Sequence, residues 1–242
     1  MSDLRVELFA RSVRTADRTI CLRPSEWDLL CALVLAGRPV PRADLAATLR
    51  PDGDEDRART AIDVRIHRLR ARIGHDAIEY TPWGYRLAET AAVDLREYEA
   101  LVREVRSLQT PSPEQMQRCR CAYEAMTGWR IPAFLAAGEL ASAVERRCDF
   151  LVRELEDKLA LHALATGRVQ EALSITQRAL DEDACDEWAW DIAIRAHLAR
   201  GDRSSALRDY RRYSSVLARE LDLPPSRQLH ELVRCAASSA AQ

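Results

Sequence analysis

Two stretches of this chain match at an interval of 34 residues. Leu164-Ala165-x-Gly167 followed by Ala172-Leu173 returns as Leu198-Ala199-x-Gly201 followed by Ala206-Leu207, and Arg178 returns as Arg212. Apolar residues around both copies recur at three and four, so each unit reads as two helices joined at the glycine. The glycine allows the turn between paired helices, and the small alanine lets them approach closely. A unit of this kind cannot bury its apolar side alone and must stack on neighbours.

A 34-residue helix-turn-helix period is that of tetratricopeptide repeats. The surrounding segment, 91–242, reads as entirely helical. Asp94 is a good N-cap for a helix carrying Leu95, Tyr98, Val102 and Val105. After the break at Thr110-Pro111-Ser112-Pro113, helices are expected at about 114–127, 139–166, 169–182, 187–200, 203–221 and 226–237.

Segment 1–90 reads differently. Leu4, Val6 and Leu8 alternate with charged residues, as do Ile20 and Leu22 with their neighbours, which predicts short strands. From Pro24 the spacing becomes helical, with Trp27, Leu30, Cys31 and Val34 on one side; Pro24 suits a first helical position, and Ser25 is an alternative cap. Gly37-Arg38-Pro39 ends that helix, a second short helix covers 41–49, and Pro51-Asp52-Gly53-Asp54 is a turn cluster. A third helix runs from about Asp56 to Ile73 and stops at Gly74. Two runs, 77–81 and 85–87, flank Pro82-Trp83-Gly84 as a closing hairpin. Trp83 has two places to go, over the base of the third helix or outward toward a binding partner. Packing is the expectation, because tryptophan buries a large apolar area. The fold class is therefore mainly α: an N-terminal winged helix-turn-helix (α+β), residues 1–90, followed by an all-α tetratricopeptide-like helical-repeat domain, residues 91–242.

The third helix carries the strongest chemical pattern. Projected at 100° per residue, Ile62, Ile66, Leu69 and Ile73 form one stripe, flanked by Arg59, Arg65 and Arg70. The opposite face is led by Arg57, Ala61, Val64, Arg68 and Ala71, with Thr60 and His67 to one side and Arg72 to the other. Between 57 and 72 stand six arginines and one acid, Asp63, in a protein whose net charge is -2. A basic face with small residues at its centre suits a major groove, where side chains must reach base edges. The whole chain, with 36 basic against 38 acidic residues, is no general nucleic-acid coat.

Other chemistries find little support. The seven cysteines are scattered with no Cys-x-x-Cys, and no histidine pair has ligand spacing, so no metal is expected and the thiols read as reduced. Neither Gly-x-Gly-x-x-Gly nor Gly-Lys-Ser/Thr occurs, so no nucleotide cofactor is expected. Asp181-Glu182-Asp183, His162 and His197 form no nucleophile-base pair, and the chain is not expected to be an enzyme. The N-terminus Met1-Ser2-Asp3-Leu4-Arg5 has no apolar leader, and no run approaches the ~20 apolar residues of a membrane span. The expectation is a soluble cytoplasmic protein, associated with the nucleoid, with no membrane partner.

At these residues the chain resembles a known family. Leu22-x-Pro24-x-Glu26-Trp27-x-Leu29-Leu30, Ile62-Asp63-Val64-Arg65-Ile66-x-Arg68-Leu69-Arg70, Thr81 and Gly84-Tyr85-Arg86-Leu87 are similar to the OmpR-type winged-helix DNA-binding domain. Glu187-x-Ala189-Trp190, Ala206-Leu207-x-x-Tyr210 and Glu220-Leu221-x-x-Pro224-Pro225-x-x-x-Leu229 are similar to the bacterial transcriptional activator domain. In this order the two resemble the Streptomyces antibiotic regulatory protein (SARP) family. That resemblance implies a transcriptional activator that binds direct repeats in double-stranded DNA, self-associates there, recruits RNA polymerase holoenzyme and regulates biosynthetic genes such as those for antibiotics. It implies base contacts at Val64 and Arg68 and phosphate contacts at Arg65, His67 and Arg70. Arg57, Thr60, Arg72, Thr81 and Arg86 complete the expected DNA-binding set. The wing departs from the family pattern: it is short, with Pro82-Trp83 where an arginine is usual, and Arg86 is the nearest cation. The alternative reading is a tetratricopeptide-type interaction adaptor whose winged helix does not read DNA.

Overall fold

A computed structural model describes residues 4–49, 55–135 and 139–238. The turn cluster expected at 51–54 lies outside the described residues. The chain divides into two compact units, residues 1–104 with 121–152, and residues 105–120 with 153–242.

The first unit opens with strands β1 (Arg5–Glu7) and β2 (Ser12–Arg14), antiparallel with Val6 opposite Val13. Ile20 and Leu22 do not form the expected strand. The pairing shrinks to one bridge, Arg14 with Thr19, and the Ile20 N–H donates to the Val13 carbonyl at 2.8 Å. Pro24, which fixes φ and has no N–H, has already committed the chain to a helix.

That helix, α1 (Pro24–Ala36), places Pro24 at its first position, and the Arg23 N–H donates to Glu26 Oε2 at 2.9 Å. Its residues from Leu29 to Leu35 are all buried, as befits a helix apolar all round. It ends at Gly37 with φ of 61°. Helix α2 (Arg42–Leu49) and helix α3 (Glu55–Ile73) follow, and they pack on each other and on α1. Ile62, Ile66, Leu69 and Ile73 of α3 are buried, as its periodicity predicts.

A 3₁₀ turn leads into the hairpin of β3 (Ile78–Thr81) and β4 (Gly84–Leu87), joined by Pro82-Trp83. Tyr85 is stitched to the loop before α2 by two hydrogen bonds with Val40, at 2.8 and 2.9 Å. Gly84 has φ of 123°, and a Cβ there would lie 2.0 Å from the Val40 carbonyl oxygen. Only glycine allows that approach.

The segment after residue 90 is not entirely helical. Strand β5 (Ala92–Val93) lies parallel to β1, with Val93 opposite Val6. The unpaired edge of β1 draws it in, since exposed strand edges seek partners. Helix α4 (Asp94–Arg106) starts at once, and buried Asp94 accepts from the Leu95 N–H at 2.8 Å and the Phe9 N–H at 3.1 Å. Burial pushes its carboxyl pKa up, and those N–H groups oppose the shift. Arg5 grips Glu97 with two hydrogen bonds, at 2.7 and 2.8 Å, and Phe9 stacks on Tyr98. Helix α5 (Pro113–Thr127) and helix α6 (Glu139–Ala165) follow.

The rest of the second unit is α7 (Val169–Glu182), α8 (Glu187–Ala199), α9 (Arg203–Glu220) and α10 (Arg227–Ser238). The 34-residue repeat is visible in its turns. Gly167 and Gly201 take φ of 71° and 74°, and the next N–H, from Arg168 or Asp202, donates back to Ala163 or His197. Those bonds close the helix ends as left-handed caps do. Ala172 and Ala206 are buried at equivalent positions. Trp190 and Tyr213 form the aromatic centre of the core, their rings 5.8 Å apart. The fold is thus mainly α, a winged helix-turn-helix followed by tetratricopeptide-like helices.

Candidate nucleic-acid interface

The outward face of α3 is a shallow surface lined by Asp56, Arg57, Thr60, Ala61, Val64, Arg65 and Arg68. The core stripe on the other side of the helix fixes which residues face out. Val64 is 43% exposed, unusual for valine, with small Ala61 one turn before it. Arg68 and its neighbour His67 are exposed and make no hydrogen bond or ion pair among the described residues. Thr60 returns its hydroxyl to the Asp56 carbonyl at 2.9 Å.

The acid in the middle of this helix, Asp63, is already engaged. Asp63 Oδ2 accepts from Arg42 at 2.8 Å and Oδ1 from the Tyr85 hydroxyl at 3.2 Å. Arg42, from α2, was not among the residues singled out from the sequence; its only signal there was a basic residue at the start of a short helix. The Tyr85 hydroxyl pKa is raised, first by burial and then by Asp63.

The remaining expected residues are turned to other tasks. Arg70 donates through Nε and Nη2 to the Ile78 carbonyl, at 3.1 and 2.7 Å, and lies over the Tyr85 ring. Arg72 donates to the Cys21 carbonyl at 3.0 Å and pairs with buried Glu26 at 3.3 Å. Arg86 pairs with Glu79 at 2.7 Å and Glu89 at 2.9 Å. Thr81 pins the wing turn, donating to the Gly84 carbonyl at 3.0 Å and accepting the Trp83 N–H at 3.2 Å.

The expected packing of Trp83 is overturned: it is 76% exposed, and Tyr80 is 69% exposed. A two-residue turn leaves the indole at the tip of the hairpin, beyond the reach of the core. No strand periodicity in four residues distinguishes an exposed Tyr80 from the half-covered Tyr85 opposite it.

The fold and this cationic helix face define a two-part protein, a winged helix-turn-helix joined to helical repeats. Residues 93–235 match the family described as bacterial transcriptional activator domain, more than half of the chain, and the protein belongs to that family. Its fold is similar to that of Mycobacterium tuberculosis EmbR, solved in complex with a low affinity phosphopeptide, with a TM-score of 0.69 and 22% identity. The likeness covers 99% of this chain and 66% of that chain, so the protein spans just under two thirds of EmbR. No curated protein sequence matches it. Among the described residues no helix is long and apolar enough to cross a membrane.

Proposed function

We propose that this protein is a sequence-specific DNA-binding transcriptional activator of the SARP kind, with α3 in the major groove. The reading rests on one observation above the others. Arg68 and Val64 stand exposed on the outer face while the neighbouring acid, Asp63, is tied to Arg42 and Tyr85. A valine there suits the thymine methyl, and an arginine suits guanine O6 and N7. Arg57, Thr60, Arg65 and His67 border the same face and suit phosphate contacts. Arg70 and Arg72 act first within the protein, holding the hairpin and α1 beside α3, and Arg86 ties the hairpin strands to each other. Family membership supports residues 91–242 as the activating part, which would meet RNA polymerase or a second protomer on direct repeats. Residues 1–90 are the DNA-reading part, and the working compartment is the cytoplasm at the nucleoid.

Footprinting across the gene neighbourhood supplies the cognate site. Arg68→Ala then costs about 1–3 kcal/mol on the cognate duplex and relaxes discrimination at one base position. Binding weakens steeply with added salt. Equal weakening on cognate and scrambled duplexes makes Arg68 a phosphate contact. If no saturable duplex binding occurs at low salt, the protein is an interaction adaptor instead.

A further inference from the structure

Helices α7 and α9 both pack on α8, and between them runs a groove of about 520 Å³. Trp190, Ala193 and Val216 make its buried apolar floor, and Arg212 reaches over it from α9. We infer that this groove binds a small carboxylate with an apolar body, whose carboxylate is taken by Arg212.

The internal repeat supplies the argument. Arg178 and Arg212 occupy equivalent positions, 34 residues apart. Arg178 is satisfied by two carboxylates, Glu156 and Glu182, the latter at 2.6 Å. The residues equivalent to those acids are Trp190 and Val216. The second repeat thus keeps the guanidinium and replaces both of its acids with groove floor. Arg212 lies 5.8 Å over the Trp190 ring and makes no hydrogen bond or ion pair among the described residues.

The other charged groups of the groove have partners. Asp209, one turn before Arg212, faces His197 at 3.2 Å and senses the Arg212 charge without a hydrogen bond or ion pair to it; Asp181 accepts from Gln177 at 2.8 Å; Arg219 pairs with Glu220 at 2.9 Å. A ligand carboxylate replaces what the first repeat carries covalently, since guanidinium matches carboxylate in a fork of paired hydrogen bonds. The volume lies within the range of small-molecule sites, which are mostly apolar with a few placed polar groups. The inference concerns the helical unit alone and does not depend on DNA binding.

The test is calorimetric titration of the full chain with phenylacetate and octanoate, each beside its primary amide, and with acetate. The two apolar carboxylates bind saturably, and the amides and acetate bind at least about 10-fold more weakly. Arg212→Gln, at an exposed position, weakens the carboxylates at least about 10-fold without lowering Tm. Val216→Glu returns an acid one turn from Arg212, as Glu182 stands to Arg178, and also abolishes binding. No saturable binding in the millimolar range overturns the proposal, as do equal affinities for acids and amides or an unchanged affinity in Arg212→Gln. Binding confined to an acidic peptide, with no free carboxylate bound, overturns it too.

Discussion

Arg70, on the described helix with the most arginines, sends two N–H groups to one carbonyl oxygen, that of Ile78, at 3.1 and 2.7 Å. The contact clamps the first residue of β3 to α3 and shelters Tyr85 beneath the guanidinium. Arg68, two residues earlier, has no such anchor among the described residues. The two side chains differ in what surrounds them, and the substitutions below separate them.

Arg70→Ala lowers stability by about 1–2 kcal/mol, the worth of hydrogen bonds from a charged donor at a half-buried site. Arg68→Ala stays within about 0.5 kcal/mol, as exposed substitutions do. Urea unfolding of both variants measures the contrast. Equal stability of the two proteins removes the clamp.

Gly84→Ala is expected to be severe. The added Cβ meets the Val40 carbonyl oxygen at 2.0 Å, in a backbone conformation with φ of 123°. The strain and the lost bridge to Val40 together cost about 2–4 kcal/mol. Thermal unfolding reads this directly, and a variant with unaltered Tm would mean that the wing does not dock on Val40.

Trp83→Ala leaves stability within about 0.5 kcal/mol, because the ring is 76% exposed and covers no core. A drop in Tm as large as that of a buried aromatic would show that the indole folds back on the domain in solution. DNA affinity measured on the same variant tells whether the tip touches the duplex.

Asp202 caps α9, accepting from the Ser205 N–H at 3.0 Å and from the Ser205 and Ser204 hydroxyls. Those hydrogen bonds, Ser205's first, hold its carboxyl pKa well below the ordinary value of 3.8, and His197 adds to the effect. The unfolded chain therefore takes up a proton before the folded one does. The cap's contribution is present above pH 3.8 and is lost as pH falls through the folded value. Asp202→Asn keeps one accepting oxygen without the charge. Its Tm lies below wild type at about pH 7, and the gap narrows by about pH 3. A gap that stays constant shows that the cap works without its charge.

Much of this protein was determined by its sequence alone. The 34-residue spacing of Gly167 and Gly201, the buried stripe of Ile62, Ile66, Leu69 and Ile73, and the helix starts at Pro24 and near Asp202 all follow from local periodicity and turn chemistry. These features need only residues within a turn or two of each other. Three things were decided by the tertiary structure. Strand β5 formed just ahead of the Asp94 cap, in a segment read as entirely helical, because its partner β1 lies far back in the sequence. Trp83 stayed in solvent because no surface among the described residues covers the hairpin tip. The arginines of α3 were divided between its outward face and a structural one. Arg70 and Arg72 found the carbonyls of Ile78 and Cys21, and Arg68 found none. Every one of them carries the same charge and nearly the same reach. What distinguishes them is whether an acceptor from a remote segment comes within hydrogen-bonding distance, and only the packed chain sets that.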